Sequence, residues 1–170
     1  MFSEKGRRMG TQGSDPFEQI ERAIIQIGWL GQRQFMQLLA HARFDLTIPQ
    51  YHTLLHLNYC HGECKMSDLA RATHQSAASL TGVVDRLLEK RLVERGRPEG
   101  DRRQVVVSVT ERGRELLRAI EHTRRDELRA ALEHIRPEDL HELQRLLDAV
   151  LAAMLHTIEA AEPPFGMHSA

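Results

Sequence analysis

The chain has 170 residues, with 24 Asp or Glu against 23 Lys or Arg and only two cysteines. That length suits one domain with a real core, two cysteines exclude a disulfide scaffold and fit a reducing compartment, and no run of about 18 apolar residues offers a membrane span. The formal net charge of −1 is unevenly spread: residues 65–114 hold eleven Lys or Arg and seven Asp or Glu, a surplus of four positives that leaves a deficit of five elsewhere. This asymmetry aims the centre of the chain at an anionic partner.

Residues 1–15 are polar and Gly-rich, without the apolar stretch of a secretory signal. They read as a flexible tail on a cytoplasmic protein. Asp15-Pro16 opens a long helix, since proline suits the first turn. Ile20, Ile24, Ile27, Leu30, Leu38 and Leu39 give it an apolar stripe, and it is expected to run to about Arg43. Thr47-Ile48-Pro49-Gln50 has the T-x-x-Q form of a capping box. The helix behind it turns Tyr51, Leu54, Leu55 and Leu57 inward and ends at Cys60-His61-Gly62-Glu63.

A short helix from Met66 or Ser67 to Ala72 is followed by the turn Thr73-His74-Gln75. Ser76 then caps a helix with Leu80, Val83, Val84, Leu87 and Leu88 at core spacing. Its opposite face carries Ala77, Ser79, Gly82 and Arg86, where a solvated helix would carry Glu and Lys. Small side chains let a helix sink against another body, here the floor of a DNA major groove.

Leu92-Val93-Glu94-Arg95 reads as a strand and Val105 to Val109 as its partner, with Pro98-Glu99-Gly100 supplying the turn. Thr110 caps a helix carrying Leu116, Leu117, Ile120, Leu128, Leu132 and Ile135. Pro137-Glu138-Asp139 starts a last, strongly apolar helix that Pro163-Pro164 stops, and residues 163–170 form a C-terminal tail. The expected fold is mainly α with a small β-hairpin wing: a winged helix-turn-helix at about 47–110, within a domain spanning 16–162.

Several segments, in order, resemble the MarR (multiple antibiotic resistance regulator) family of bacterial transcription factors. Thr47 to Leu55 resembles the opening of the family's second helix, and Ser67-Asp68-Leu69-Ala70 its third. Ser79 to Lys90 resembles the recognition helix, and Leu92-Val93-Glu94-Arg95 with Asp101-Arg102-Arg103 the wing. Val109-Thr110-Glu111-Arg112-Gly113 matches the motif that follows the wing. The likeness covers roughly residues 16 to 160. Arg91 departs from it, standing where the family usually has Gly at a helix C-terminus; the turn is expected to survive at about 1 kcal/mol of cost. Gly82 stands where relatives often carry a larger polar side chain.

The resemblance implies a homodimer, joined by N- and C-terminal dimerisation helices at 16–43 and 111–160. Two recognition helices would then enter successive major grooves of double-stranded DNA. It assigns the DNA contacts to Gln75, Ser76, Ala77, Ser79, Thr81, Arg86, Arg95, Arg97, Asp101, Arg102 and Arg103. Arg103 is placed in the minor groove, where a narrow A·T tract concentrates negative potential, with Asp101 holding it. Arg102 is assigned to a phosphate or a nearby carboxylate. Arg86 has two readings of equal weight, a phosphate contact or an ion pair with an acid of the wing. Arg95 and Arg97 read as phosphate contacts or as solvated strand residues. The resemblance also implies repression relieved by a small aromatic or anionic effector, near Trp29, Arg33, His52, His56 and His122.

His52, His56 and Cys60 fall at i, i+4 and i+8, but such a row spans about 12 Å, too far for one ion. Only adjacent pairs could share a metal, with help from another helix, so no metal or other cofactor is assigned. A zinc sensor and a thiol switch through Cys60 and Cys64 remain as alternatives. So does a winged helix serving a protein partner, although such modules tend to lose the wing arginines. No catalytic motif is present: the sequence has no G-x-S-x-G, no phosphate-binding glycine loop and no H-E-x-x-H.

Overall fold

A computed structural model describes residues 15–60, 62–96 and 105–161, with side chains to residue 157. His61, Arg97, Asp101, Arg102 and Arg103 therefore lie outside the described residues, as do both tails. The elements in order are α1 (Pro16–Ala40), α2 (Ile48–Tyr59), β1 (Cys64–Lys65), α3 (Met66–Ala72), α4 (Ala77–Glu89), β2 (Val93–Gly96), β3 (Val106–Val109), α5 (Glu111–Leu132) and α6 (Pro137–Ala161). The described chain is mainly helical, with one small antiparallel sheet. Two compact units divide it between Arg124 and Arg125.

The first unit is built around Leu39, Leu54, Leu57, Leu69, Leu80, Leu87 and Ile120, all under 2 % exposed. Local signals set its boundaries. The Asp15 carboxylate accepts the Phe17 N–H at the start of α1. At α2 the capping box closes in both directions, with Gln50 N–H on Thr47 Oγ1 and Thr47 N–H on Gln50 Oε1. Helix α1 stops at Ala40, short of the expected Arg43. The chain turns at His41, whose carbonyl accepts both Phe44 and Asp45 N–H groups. That turn buries Phe44 and Leu46, and burial of two large side chains outweighs three more residues of helix.

Two turns are built alike. After α4, Arg91 N–H bonds the Leu88 carbonyl and Leu92 N–H the Leu87 carbonyl, with Arg91 at φ 57°. After α3, His74 N–H bonds the Arg71 carbonyl and Gln75 N–H the Ala70 carbonyl, with His74 at φ 52°. Both are Schellman motifs that hold a side-chain-bearing residue in the left-handed region. The turn at Arg91 survives without glycine, as expected.

The sheet has three strands rather than the expected two. Its order is β1-β3-β2, with Cys64 opposite Val107 and Val93 opposite Val109. A two-residue strand is too short to show alternation, so β1 carries no sequence signal. Val106, Val107 and Val109 are all buried. Thr110 closes the unit: its hydroxyl donates to the Arg91 carbonyl and accepts the Gly113 N–H. Here the Val-Thr-x-x-Gly motif has its physical cause, since a side chain at Gly113 would strike the Leu92 carbonyl oxygen.

The second unit contains the last turns of α5 and all of α6. Arg136 grips Asp139 at 2.8 and 2.9 Å at the start of α6, a bidentate pair beside the helix N-terminus.

Candidate nucleic-acid interface

Helix α4 lies on the core through Leu80, Val84 and Leu87. Its 3.6-residue period then turns Ala77, Ala78, Ser79, Thr81, Gly82 and Arg86 outward, all exposed. A Cβ at Gly82 would meet nothing within 4 Å. This face is therefore open, low and uncharged up to Arg86, as the sequence predicts.

The hydroxyls on it differ in what they can still do. Ser76 Oγ accepts the Ser79 N–H at 3.2 Å, which leaves its proton for an outside acceptor such as a phosphate. Thr81 Oγ1 donates to the Ala77 carbonyl at 2.8 Å, which leaves its lone pairs for an outside donor such as a base amino group. Ser79 is exposed. The expected role of Gln75 needs correction. Its amide faces inward, with Nε2 donating to the fully buried Thr53 hydroxyl at 3.0 Å, so it braces the helix-turn-helix against α2. Its Oε1 is buried without a partner among the described residues.

Neither expected role of Arg86 describes its present partner. It meets Glu89 of its own helix at 3.3 Å, a solvent-exposed pair. The helix-to-wing ion pair instead joins Asp85 to Arg95 at 2.8 Å. Arg95 is thus held in a partly exposed ion pair that ties β2 to α4. A groove of about 1020 Å³ runs between α3, α4 and the sheet, and Ser67, Ala77, Thr81 and Arg95 are among its lining.

Among the described residues, the five effector candidates line neither the groove beside α4 nor the cavities beside α5. Trp29 is 59 % exposed on α1, with the Arg33 guanidinium 5.4 Å from its ring centroid. His52 and His56 are half-buried or exposed positions on α2, and His122 lies on α5. None of the five lines the cavity of about 510 Å³ between α2 and α5, which Tyr51, Leu55, Tyr59, Arg118, Glu121 and Arg124 help to form. Sequence reasoning missed this cavity because its two walls lie some sixty residues apart. Arg124 also sits 5.8 Å from the Phe35 ring centroid, and Phe35 packs edge-on against Tyr51 at 4.9 Å. Burial pushes the Tyr51 phenol up, so it stays a neutral donor at neutral pH. His56 has a different neighbourhood, with Cys60 and Cys64.

A family model described as MarR family matches residues 44–104, which hold α2 to β2 and the segment between β2 and β3. The HTH-type transcriptional repressor NicR of Pseudomonas putida is 31 % identical over 115 residues, covering 65 % of this chain and 73 % of NicR. The chain belongs to the MarR family. The uncharacterised HTH-type transcriptional regulator YfiV of Bacillus subtilis is 36 % identical over 97 residues, covering 57 % of this chain and 60 % of YfiV. The match thus spans less than two thirds of that relative's length. Among solved structures, a mutant of Staphylococcus aureus MepR bound to an oligodeoxyribonucleotide aligns with a TM-score of 0.67 at 20 % identity, covering 79 % of this chain and 97 % of MepR.

Proposed function

We propose that the protein is a DNA-binding transcriptional repressor that holds a pseudo-palindromic operator as a cytoplasmic homodimer and leaves it when a small molecule binds. The observation that carries the DNA reading is the exposed face of α4: small, hydroxyl-bearing and with open space at Gly82. A helix meant for water carries long charged side chains there, and a helix meant for an apolar partner carries Leu or Phe. Ser76 suits a phosphate, Ser79 and Thr81 suit base edges, and Ala77 suits a thymine methyl. Arg86 exchanges an exposed pair of small worth for a phosphate. Arg103, with Asp101, Arg102 and Arg97, completes the reading from the wing, outside the described residues. The fold shared with a DNA-bound MepR supports the same arrangement.

Homodimerisation is supported by two apolar faces. Ile20, Ile24, Ile27 and Leu30 on α1 are 42–67 % exposed. On α6, Leu147, Leu151, Met154 and Leu155 are 48–59 % exposed. Faces of this size on a single chain call for a partner, and a helix-turn-helix dimer reads half-sites about one DNA turn apart. For the effector, the α2–α5 cavity offers arginines and tyrosines to a small aromatic anion.

The test is fluorescence anisotropy with a labelled duplex from immediately upstream of the coding region, against a scrambled duplex, over a salt series. The reading requires preferred binding of the first, two chains per duplex, a steep loss with salt and a collapse in Arg103→Ala. Equal weak binding of both duplexes, together with no operator from an unbiased duplex selection, would overturn it in favour of a protein partner.

A further inference from the structure

We propose that His56, Cys60 and Cys64 form a binding site for one soft divalent cation of the zinc type, clamping the end of α2 to β1. The three ligand atoms lie within 4.8 Å of one another. Helix α2 and its C-cap supply two of them on one face, since His56 and Cys60 are four residues apart. The third arrives by a separate route, because Cys64 is fixed by its pairing with Val107 of β3. The further donor that two ligands on one helix lack thus comes from a strand, not from the second helix expected.

The fit to a metal is close. A tetrahedral zinc ion with sulfur at about 2.3 Å and imidazole nitrogen at about 2.0 Å separates its ligands by about 3.5–3.8 Å. Closing a triangle of at most 4.8 Å sides to that size needs movements of about an ångström, within rotamer adjustment of three side chains. Two thiols and an imidazole select zinc or another soft ion over magnesium and calcium, which want oxygen. Cys64 is buried, whereas His56 and Cys60 are half-buried, and three protein donors leave a tetrahedral ion one position for water.

The chemistry balances without a redox partner. Burial, and then the hydrogen bond with Cys60, push the Cys64 thiol up to about 12, so without metal the Cys64 thiol keeps its proton at neutral pH. On binding, two S–H bonds break, two metal–sulfur bonds form and two protons leave to the buffer. The negative charge of Asp68, itself paired with Arg71, opposes the Cys64 thiolate weakly and favours a cation. Lys65, next to Cys64, is the residue from which α3 starts, and β1 pairs with the strand that leads out of the wing. Metal would therefore hold α2, α3 and the wing sheet in one frame. The site does not depend on the DNA reading.

The test is titration of the tag-free, fully reduced full-length protein with cobalt(II) under argon. The site predicts one equivalent per chain with a thiolate-to-cobalt charge-transfer band and the visible bands of tetrahedral cobalt, both erased by one equivalent of zinc. Cys60 and His56 are half-buried, and Ser and Gln are close in size to the residues they replace, so Cys60→Ser and His56→Gln are expected to fold, which a thermal melt checks. Cys60→Ser should roughly halve the charge-transfer intensity. His56→Gln should keep that band while weakening binding by more than the roughly 10–100-fold loss expected from an outer hydrogen-bond partner. Absence of the charge-transfer band in reduced wild type, or bands unchanged in Cys60→Ser, would overturn the site. So would reduced protein that refuses cobalt yet closes a Cys60–Cys64 disulfide on air exposure, seen as the loss of two hydrogens in that peptide.

Discussion

Gly113, at the start of α5, lies directly against the backbone carbonyl of Leu92. Any Cβ there would strike the Leu92 oxygen and come within 2.8 Å of Val109 Cγ2. The same Leu92 oxygen accepts the Thr110 N–H at 3.1 Å, so the backbone cannot step aside without losing that bond. Gly113→Ala should therefore destabilise the protein by about 1–3 kcal/mol, as overpacking does, and lower Tm by at least about 2–4 °C for a chain of this size. A thermal melt with Tm unchanged would show that α5 can shift, and that close approach is not what Gly113 provides.

Arg91 sits at φ 57° in a turn whose two Schellman hydrogen bonds are both made. The left-handed conformation costs an L-residue other than glycine about 1–2 kcal/mol. Arg91→Gly relieves that strain and loosens the unfolded chain, so a net gain of about 0.5–1 kcal/mol is expected. A rise in the urea midpoint at unchanged slope checks it; a fall would mean that the Arg91 side chain contributes more than its backbone costs.

Asp85 and Arg95 meet at 2.8 Å between α4 and β2, both partly exposed. Such a pair is worth at most about 1 kcal/mol to stability. Its larger effect is to fix where the wing starts relative to α4. Arg95→Ala should move Tm little while weakening operator binding several-fold, and Asp85→Asn should do the same. Operator affinity unchanged in both variants, by anisotropy, would remove the tether from the account.

Glu111 is held below the usual glutamate range by hydrogen bonds from Arg118 and then Arg114. The sign follows from a lowered native pKa. The stabilisation is complete above the unfolded value of about 4.3 and is lost as pH falls through the lower, native value. The Tm difference between wild type and Glu111→Gln should thus be constant near neutrality and shrink on acidification below about pH 4. A difference that grows on acidification contradicts the assignment.

What the sequence revealed was mostly local. The Thr47 capping box, the Ser76 cap, the core face of α4 and the turn at Arg91 all depend on residues close to one another in the chain, and the structure keeps them. What it hid depends on distant partners. Cys64 becomes a strand only because Val107 lies beside it, and Gln75 turns inward only because Thr53 waits there. The Asp85–Arg95 tether and the gathering of Cys64 onto His56 and Cys60 are invisible for the same reason. Helix α1 looked three residues too long because nothing in the chain up to Arg43 breaks a helix; the core claims Phe44 and Leu46 and turns the backbone first. Of the expected site, the α4 face is exposed and low as the sequence predicts, whereas the effector residues, chosen by position along helices, line none of the cavities described above.

The central claim is that the open face of α4 meets DNA, and Gly82→Glu tests it most directly. Nothing lies within 4 Å of a Cβ at this position, so the fold has room for the side chain. Replacing a mid-helix glycine should even stabilise α4 by up to about 1 kcal/mol. On DNA, the same change pushes a carboxylate on a two-methylene stem into the groove floor. The account predicts a Tm equal to or above wild type together with loss of operator binding at every salt concentration. A Gly82→Glu protein that melts like wild type and still binds the operator with wild-type affinity would contradict it.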